Sequence, residues 1–249
     1  MKKLLAVPVL SLMLTLALLS PPGAQAKDWS LEMNLAYNSR YLWRGMVATD
    51  GPVLQPAATL GYRGFTAGVW GNLELTGVNG QKGSFTEVDL WAEYSRTWGV
   101  LSPKVGVIHY HFPPDGGADT TELYLGLGLA VPLSPSLTIY YDVDQVQGFY
   151  VAAGLGHSLD LFKNGMLSAS LELSATIGWA SAAFNRGYLG VDKSAINHVL
   201  LSVGVPIAIG QRLTITPTVN YSVVPDGDLR DAAGEPDNFF AGVSVVFTL

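Results

Sequence analysis

The sequence contains no cysteine, so neither a disulfide framework nor thiolate chemistry is available to it. Charged residues are also scarce: they make up 14% of the 249 residues, and acids outnumber bases by 20 to 14. A net negative chain without a basic run argues against a nucleic-acid partner. Hydrophobic residues nevertheless account for 49% of the chain, which is too apolar for a disordered protein.

Beyond the N-terminus, the sequence also lacks an uninterrupted apolar run long enough for a membrane-spanning helix. The first 26 residues have the three parts of a secretory signal peptide: a basic start, an apolar stretch over residues 4–19 and a small-residue cleavage site at residues 24–26. We therefore expect residues 1–26 to be removed on export, and residues 27–249 to form a single domain.

What the mature chain has instead is an alternation of apolar and polar side chains with a period of two. The segments 122–131, 167–178 and 213–223 each place leucine, isoleucine or valine on one face and mostly serine, threonine or glycine on the other. Successive side chains of a strand point to opposite faces, so each segment is a strand with one apolar and one polar face. Together with an export signal, this pattern predicts a transmembrane β-barrel with its apolar faces towards lipid.

Twelve strand-like runs follow one another along the chain, and bacterial single-chain barrels have even strand numbers. The predicted runs are 30–44, 53–62, 65–75, 85–97, 104–112, 121–131, 137–144, 149–159, 166–178, 195–208, 212–223 and 238–249. Connections after the even-numbered runs are mostly short, and those after odd-numbered runs include the longest. Because outer-membrane barrels have short periplasmic turns, we predict an all-β, antiparallel up-and-down barrel with both termini in the periplasm.

A soluble exported barrel would show the same alternation turned inside out. Twelve strands would leave an unfilled interior in such a barrel, since about eight strands suit an interior packed with side chains. The polar faces here also carry few lysines, whereas a soluble surface carries many mixed charges. The sequence therefore favours the membrane barrel and predicts the outer-membrane lipid bilayer as its environment.

Directing the polar faces inward gives a set of lumen residues on the first seven strands that are candidates for contact with a solute. They are Arg40, Arg44, Trp70, Asn72, Glu74, Glu87, Asp89, Glu93, His109, His111, Glu122 and Asp142. The last five strands contribute mostly small neutral groups. Two interpretations stay open: an arginine–carboxylate network that props or plugs the lumen, and a constriction that contacts solutes.

Pairing the inward residues across hairpins refines this picture. We expect Glu74 to lie opposite Glu87, where like charges need compensation from water, a cation or the two arginines. His109 and His111 are expected to share the inward face, with Glu122 opposite His111. Two histidines and a carboxylate are one way to bind a metal, but lumen polar residues in water explain them as well, and we predict no metal and no cofactor.

The segment Ser39-Arg40-Tyr41-Leu42-Trp43-Arg44-Gly45 resembles the TorF-like porin family, a set of exported bacterial proteins of largely unknown function. A second segment, 64–70 (GFTAGVW), and the runs beginning at Glu87 and Glu122 are similar to further family positions. The resemblance covers roughly residues 30–130, and Arg44 and Gly45 are its best-matched positions. It implies an outer-membrane barrel with a porin role and specifies no solute.

The sequence thus predicts an outer-membrane channel for passive passage of small hydrophilic solutes. Such a pore would be cation-preferring, because acids outnumber arginines among all the residues predicted to face inward. Arg40 and Arg44 stand against nine acids: Glu32, Glu74, Glu87, Asp89, Glu93, Glu122, Asp142, Asp144 and Glu172. The alternative is a structural or adhesive barrel with a blocked lumen. No nucleophile-and-base signature is found, so we expect no enzyme, and the sequence leaves the oligomeric state open.

Overall fold

The computed structural model describes residues 28–80, 82–113 and 117–249, so the predicted signal peptide lies outside the described residues. Fifteen strands and two helices follow one another in them. The strands are β1 Trp29–Asn38, β2 Tyr41–Trp43, β3 Met46–Thr49, β4 Val53–Tyr62, β5 Phe65–Glu74, β6 Phe85–Ser95, β7 Leu101–His111, β8 Thr120–Leu129, β9 Ser136–Asp142, β10 Phe149–Asn164, β11 Leu167–Ala180, β12 Ala195–Gly204, β13 Ile207–Ile209, β14 Leu213–Val223 and β15 Asp237–Thr248. The helices are α1 Ala182–Leu189 and α2 Gly227–Ala233.

A closed antiparallel barrel forms from all these strands except β2 and β3. Each barrel strand pairs with its neighbour in the chain, and β12 and β13 together fill one position between β11 and β14. The ring closes where β1 pairs with β15, from Glu32 opposite Thr248 to Asn38 opposite Gly242. Among the described residues the barrel therefore has twelve strand positions, which confirms the predicted architecture.

Loop lengths distinguish the two ends of the barrel. Strands at one end are joined by the short turns 63–64, 96–100, 130–135, 165–166 and 210–212, and the first and last strands also begin and finish there. The opposite end carries the longer connections 39–52, 75–84, 112–119, 143–148, 181–194 and 224–236. Short turns are periplasmic in outer-membrane barrels, so we call these the inner and outer ends.

The two faces of the barrel wall are those that the alternation predicts. Leu125 on β8 is 63% exposed, and Leu90, Val105 and Leu201 on other strands are also exposed on the outside. Polar residues between such positions are buried inside, among them Gln55 and Asn72. An apolar exterior around a polar interior is the arrangement of a barrel in lipid.

The first predicted strand is wrong in one respect. Strand β1 ends at Asn38, and residues 41–49 of the predicted run and its following loop form a separate hairpin, β2–β3, that makes no backbone pairing with the barrel wall among the described strands. The cause is that Tyr41, Leu42 and Trp43 continue a strand-like sequence, so periodicity alone gives no sign of the break after β1.

Both helices lie in outer loops and have well-defined caps. Helix α1 begins after Ser181, whose side chain accepts a hydrogen bond from the Phe184 backbone, and it ends at Gly190 with φ of 71°. Helix α2 begins after Asp226, whose carboxylate accepts from two backbone N–H groups of its first turn. Neither described helix is long and apolar enough to cross a membrane.

The packed core of this protein lies inside the barrel rather than between layers. Tyr150, Ala180 and Phe184 are buried together, with Trp43 of the hairpin packed against them. A second cluster joins Ala195, Val224 and Leu229 at the outer end. Hairpin β2–β3 and helix α1 thus fill the outer half of the lumen, and we refer to these two elements, residues 41–49 and 182–189, as the plug.

Candidate functional site

Arg44 lies at the tip of hairpin β2–β3, in a two-residue turn between the paired residues Trp43 and Met46. Its φ is +50° and that of Gly45 is +87°, as a type I′ turn requires. A positive φ is uncommon for a residue other than glycine and is held in place by surrounding contacts. A Cβ on Gly45 would lie 2.6 Å from Cβ of His198, so the turn also needs glycine to fit against the wall.

The Arg44 guanidinium makes a two-pronged ion pair with Glu122 of strand β8. Its Nη1 and Nη2 donate to Glu122 Oε1 and Oε2 at 2.7 and 2.6 Å. The side chains are only 8% and 1% exposed. The Tyr110 hydroxyl donates a third hydrogen bond to Glu122 Oε2 at 2.9 Å. A buried carboxylate with this many charge-assisted partners is firmly oriented.

Aromatic rings surround the same guanidinium. Its central carbon lies 4.1 Å from the ring centre of Tyr150, 4.6 Å from that of Tyr140 and 4.5 Å from that of Trp43. Phe184 of helix α1 is somewhat further away, at 5.4 Å. Rings within about 6 Å of a cation attract it through their quadrupoles, and more strongly where water is excluded. The arginine is therefore held by both a carboxylate and π faces.

Glu122 also faces a second carboxylate, because it lies directly opposite Asp142 in the register of β8 and β9. Like charges in that position are destabilising, and different partners compensate each one. Asp142 accepts from the Thr120 hydroxyl at 2.7 Å and from the backbone N–H groups of Asp144 and Val146 at 2.9 and 3.1 Å. Asp142 thus shapes the outer loop 143–148, while Glu122 holds the hairpin.

The other edge of the hairpin is anchored on strand β5. The Thr49 hydroxyl donates to Glu74 at 3.1 Å, and the Asn72 amide donates to Thr49 at 3.3 Å and to Thr86 at 2.9 Å. The Tyr41 ring lies 5.4 Å from that of Trp70, centre to centre. The hairpin therefore contacts two separate parts of the wall, β5 and Glu122 on β8.

The two helix-bearing outer loops are joined by Lys193. Its ammonium donates to Asp228 at 2.6 Å and lies 2.8 Å from a carboxylate oxygen of Asp226. These hydrogen bonds raise the pKa of Lys193, and the bond from Lys193 lowers the pKa of Asp226. The loops thus hold each other in place at the outer mouth.

The remaining predicted lumen residues divide between the wall and the rim. Glu93 lies 3.3 Å from Lys104 and accepts from the Tyr124 hydroxyl at 3.1 Å. Glu87 and Asp89 are inward and buried. Arg40 does not enter the lumen, because at the outer rim it donates to Asp50 at 2.6 Å and Glu235 at 3.0 Å, and also to Asn238.

His109 and His111 face outward, so their predicted place in the lumen is wrong. They lie opposite Leu90 and Val88 on the exterior, while Tyr110 between them faces inward opposite Asp89. Near the outer rim the exterior meets water, and His111 Nδ1 lies 2.8 Å from Asp119 there. The described residues contain no cluster of three or more potential metal ligands.

The predicted register across loop 75–84 is wrong as well. Glu87 lies opposite Asn72, and Asp89 opposite Trp70, so Glu74 and Glu87 are not paired. The register also changes within this pair of strands, at a bulge between Asn72 and Leu73, and bulges cannot be inferred from alternation. The predicted repulsion is therefore absent at Glu74 and arises between Glu122 and Asp142 instead.

Below the plug, the inner half of the lumen contains an open cavity of about 500 Å³. Its wall comes from β10, β11, β12 and β14 and consists mainly of small polar side chains and glycines. The lining residues are Ser134, Gly156, His157, Ser158, Glu172, Leu173, Ser174, Ser202, Gly204, Thr216, Thr218 and Asn220. The charged wall predicted from sequence therefore holds the plug, and the small neutral wall lines the open space.

Several residues of the site were missed by sequence reasoning, chiefly Trp43, Tyr110, Tyr150 and Phe184. The aromatic rings around Arg44 come from several different elements, and the alternation does not say which aromatics meet in the lumen. The sequence did contain one usable signal. Arg44-Gly45 followed by a short β-prone run, Met46 to Thr49, has the form of a tight hairpin turn.

Comparison with known proteins gives a partial family match. A family model described as "Bacterial protein of unknown function (Gcw_chp)" matches residues 23–139. This stretch includes residues 30–130, which carry the resemblance noted above, but its description does not name the TorF-like family, so that assignment stays a prediction. No curated protein matches the chain.

Several solved outer-membrane barrels are similar in structure. A KdgM porin has a TM-score of 0.53 at 11% identity, with 87% of this chain and 98% of that chain covered. A NanC porin gives 0.52 at 12% identity over 88% of this chain and 100% of that one. LpxR from Salmonella typhimurium gives 0.51 at 10% identity, over 88% and 99%. At these identities the likeness shows the fold alone: this chain has the closed antiparallel β-barrel of these proteins.

Proposed function

We propose that this protein is an outer-membrane channel for small hydrophilic solutes, with the plug closing its outer half in the state described here. The observation that carries the proposal is the cavity below the plug, which is lined by serine, threonine, asparagine and glycine on the neutral wall. A barrel that only anchored or scaffolded would have no need of a polar space of about 500 Å³.

The cavity chemistry indicates uncharged solutes rich in hydroxyl groups. Ser174, Ser202 and Thr218 offer hydroxyls that both donate and accept hydrogen bonds. Neither lysine nor arginine is among the residues that line this cavity. One KdgM porin structure is described as a complex with disordered oligogalacturonate, so a barrel of similar fold forms a complex with a saccharide. For this chain we infer a preference for neutral saccharide-like solutes over anionic ones.

The comparisons give no support to the predicted cation preference, and the ion pairs of the site weaken its basis. Glu122 is neutralised by Arg44, and Glu93 is paired with Lys104. Glu172 is the carboxylate that lines the cavity. We therefore propose only weak cation preference, determined mainly by Glu172.

A barrel with a permanently blocked lumen is the second candidate, and the filled outer half favours it. Phe184 is fully buried and Arg44 is nearly so, both within the lumen. The two candidates differ in whether removing the plug exposes a continuous path. They agree in predicting no enzymatic role.

Removal of the hairpin tests the proposal directly. Asn38 and Val53 lie opposite each other at the outer ends of β1 and β4, so residues 40–51 are replaceable by a short glycine–serine turn without altering the wall. We expect liposomes containing this variant to swell in an uncharged disaccharide faster than those containing wild-type protein. Wild type serves as the control, and unboiled gel mobility verifies folding. A folded variant that admits no solute even when helix α1 is also replaced by a short turn contradicts the channel and supports the blocked barrel.

A further inference from the structure

The part of the wall that receives Arg44 has the composition of a ligand site. Glu122, Tyr110, Tyr140 and Tyr150 come from the four adjacent strands β8, β7, β9 and β10. We refer to these four residues as the socket. Side chains on neighbouring strands of a closed sheet keep fixed relative positions, which is the usual basis of a preorganised site.

The socket is oriented without help from the hairpin. The Tyr110 hydroxyl donates to Glu122 Oε2 at 2.9 Å, so one wall residue orients the carboxylate of another. The rings of Tyr140 and Tyr150 lie 6.1 Å apart, centre to centre, and both face the same cation. The carboxylate fork and the π faces converge on one point in the lumen.

The group at that point belongs to a hairpin that side-chain contacts, rather than backbone pairing, attach to the wall. Hairpin β2–β3 forms its own two-stranded sheet and makes no ladder with the described barrel strands. Side-chain contacts, chiefly those of Arg44 and Thr49, hold it in place. The wall would therefore retain the socket if the hairpin moved out.

We propose that the socket is a binding site for guanidinium groups, that Arg44 occupies it as a tethered ligand, and that a solute bearing a guanidinium group competes for it when the hairpin withdraws. The binding claim rests on the geometry alone. The claim that occupancy closes the barrel rests on the proposed function. A planar group with paired N–H donors matches both oxygens of Glu122, and it stacks on tyrosine faces as Arg44 does.

Because Arg44 is joined to the wall by its own chain, a free guanidinium compound must compete with a group held close to the socket. A group joined by a short linker has an effective concentration in the millimolar range. A free guanidinium compound should therefore bind wild-type protein weakly and bind a variant without the Arg44 side chain more tightly. The probe is methylguanidinium chloride, and the chosen variant is Arg44→Ala, which leaves space for it.

Isothermal titration of detergent-solubilised protein measures the binding claim. We expect methylguanidinium to bind Arg44→Ala at least tenfold more tightly than wild type. Adding Glu122→Gln to Arg44→Ala should weaken binding at least tenfold again. Arg63→Ala is the matched control, because Arg63 occupies the first position of a similar Arg-Gly turn at the inner end; it should bind as weakly as wild type. Equal binding by Arg44→Ala and wild type, or by the single and double variants, overturns the inference.

Single-channel recording then separates this inference from the proposed function. Methylguanidinium should lower the conductance of Arg44→Ala, and sodium chloride at equal ionic strength should not. Binding without conductance in any variant leaves the socket intact and contradicts the channel. Raised conductance without binding leaves the channel intact and contradicts the socket. If Arg44→Ala fails to fold, the same titration is made on the hairpin-replaced barrel, which retains all four socket residues.

Discussion

Arg44 and Arg63 occupy the same position in two Arg-Gly turns, with φ of +50° and +48°, yet their guanidinium groups end in opposite environments. Arg44 lies inside the barrel on Glu122, and both side chains are nearly fully buried. Arg63 lies at the inner end on Asp28, with both side chains more than half exposed. The turn is thus common to both, and the surroundings determine what the arginine does.

This contrast predicts very different costs of removal. Arg44→Ala leaves the Glu122 carboxylate buried without its partner, and breaking a buried pair in this way costs about 3–5 kcal/mol. Arg63→Ala removes an exposed pair, for which about 0–1 kcal/mol is typical. We expect the near-ultraviolet circular dichroism of the aromatic cluster to be lost at a clearly lower temperature in Arg44→Ala only.

A double variant tests the cause of that loss. Glu122→Gln removes the unpaired charge, so Arg44→Ala combined with Glu122→Gln should recover part of the transition temperature. If the double variant is less stable than Arg44→Ala alone, desolvation of the lone carboxylate is not the reason.

Gly45 should prove essential for docking of the hairpin. Alanine there meets a positive φ of +87° and also Cβ of His198 at 2.6 Å. Gly165 has a φ of +58° and no described neighbour within 4 Å of an added Cβ, so Gly165→Ala carries the strain without the clash. We expect Gly45→Ala, and not Gly165→Ala, to raise the rate of solute entry into liposomes. Similar rates for the two variants would mean that the hairpin accommodates the methyl group.

Much of the barrel was predictable from sequence, because burial on one face imposes the alternation. The predicted ends of β4 were 53 and 62, as in the structure, and β5 and β14 differ by one residue at one end. Registers were not predictable, since a bulge such as that between Asn72 and Leu73 moves every later pair. Side-chain polarity also failed to predict which face a residue occupies near the rim, because both faces of the wall meet water there. His109 and His111 are the examples.

The site was predictable only in part. Arg44, Glu122 and Asp142 were among the candidate lumen residues, and the structure places all three inside. Arg44 reaches Glu122 only because the chain leaves the barrel wall after β1 and folds into the lumen as a hairpin. This is a tertiary contact, which the local sequence pattern does not encode. Contact of these residues with a solute stays a prediction.

Two arginine substitutions at similar depth test the facing of the wall. Leu125 lies near the middle of β8 and is 63% exposed on the lipid side, whereas Ser174 lies near the middle of β11 and lines the cavity. An arginine facing lipid at the bilayer midplane costs about 2–4 kcal/mol, and one in a watery lumen stays hydrated. Leu125→Arg should fold into liposomes in much lower yield than Ser174→Arg, as measured by the fast-migrating band of unboiled samples on gels. Equal yields would contradict the assignment of faces.

The contact between the two helix-bearing loops should depend on pH. The Lys193 hydrogen bond lowers the pKa of Asp226, so the stability that this carboxylate contributes is present above its ordinary value and is lost as pH falls through the lowered one. The raised pKa of Lys193 extends its contribution upward in pH. We therefore expect a constant loop separation from about pH 5 to 9 and widening below about pH 4.

Spin labels on cysteines introduced at Arg186 and Ala232 measure this separation, and the absence of native cysteine makes the labelling specific. Asp226→Asn is the matched control, because asparagine caps a helix about as well as aspartate but carries no charge. The acid-induced widening should be smaller in this variant. Equal widening with and without the charge would assign the effect to another group.

The seam between β1 and β15 has a consequence for how the barrel assembles. The other adjacent strands of the described wall lie close together in the chain, with hairpin β2–β3 inserted between β1 and β4. The pair β1 and β15, in contrast, joins residues more than 200 positions apart, such as Met33 and Phe247. Pairing of strands that are adjacent in the chain costs little chain entropy, whereas pairing of β1 with β15 closes a loop as long as the domain. We therefore expect closure to be the final step of assembly, and a chain arrested before β15 to present two unpaired strand edges, which promote aggregation.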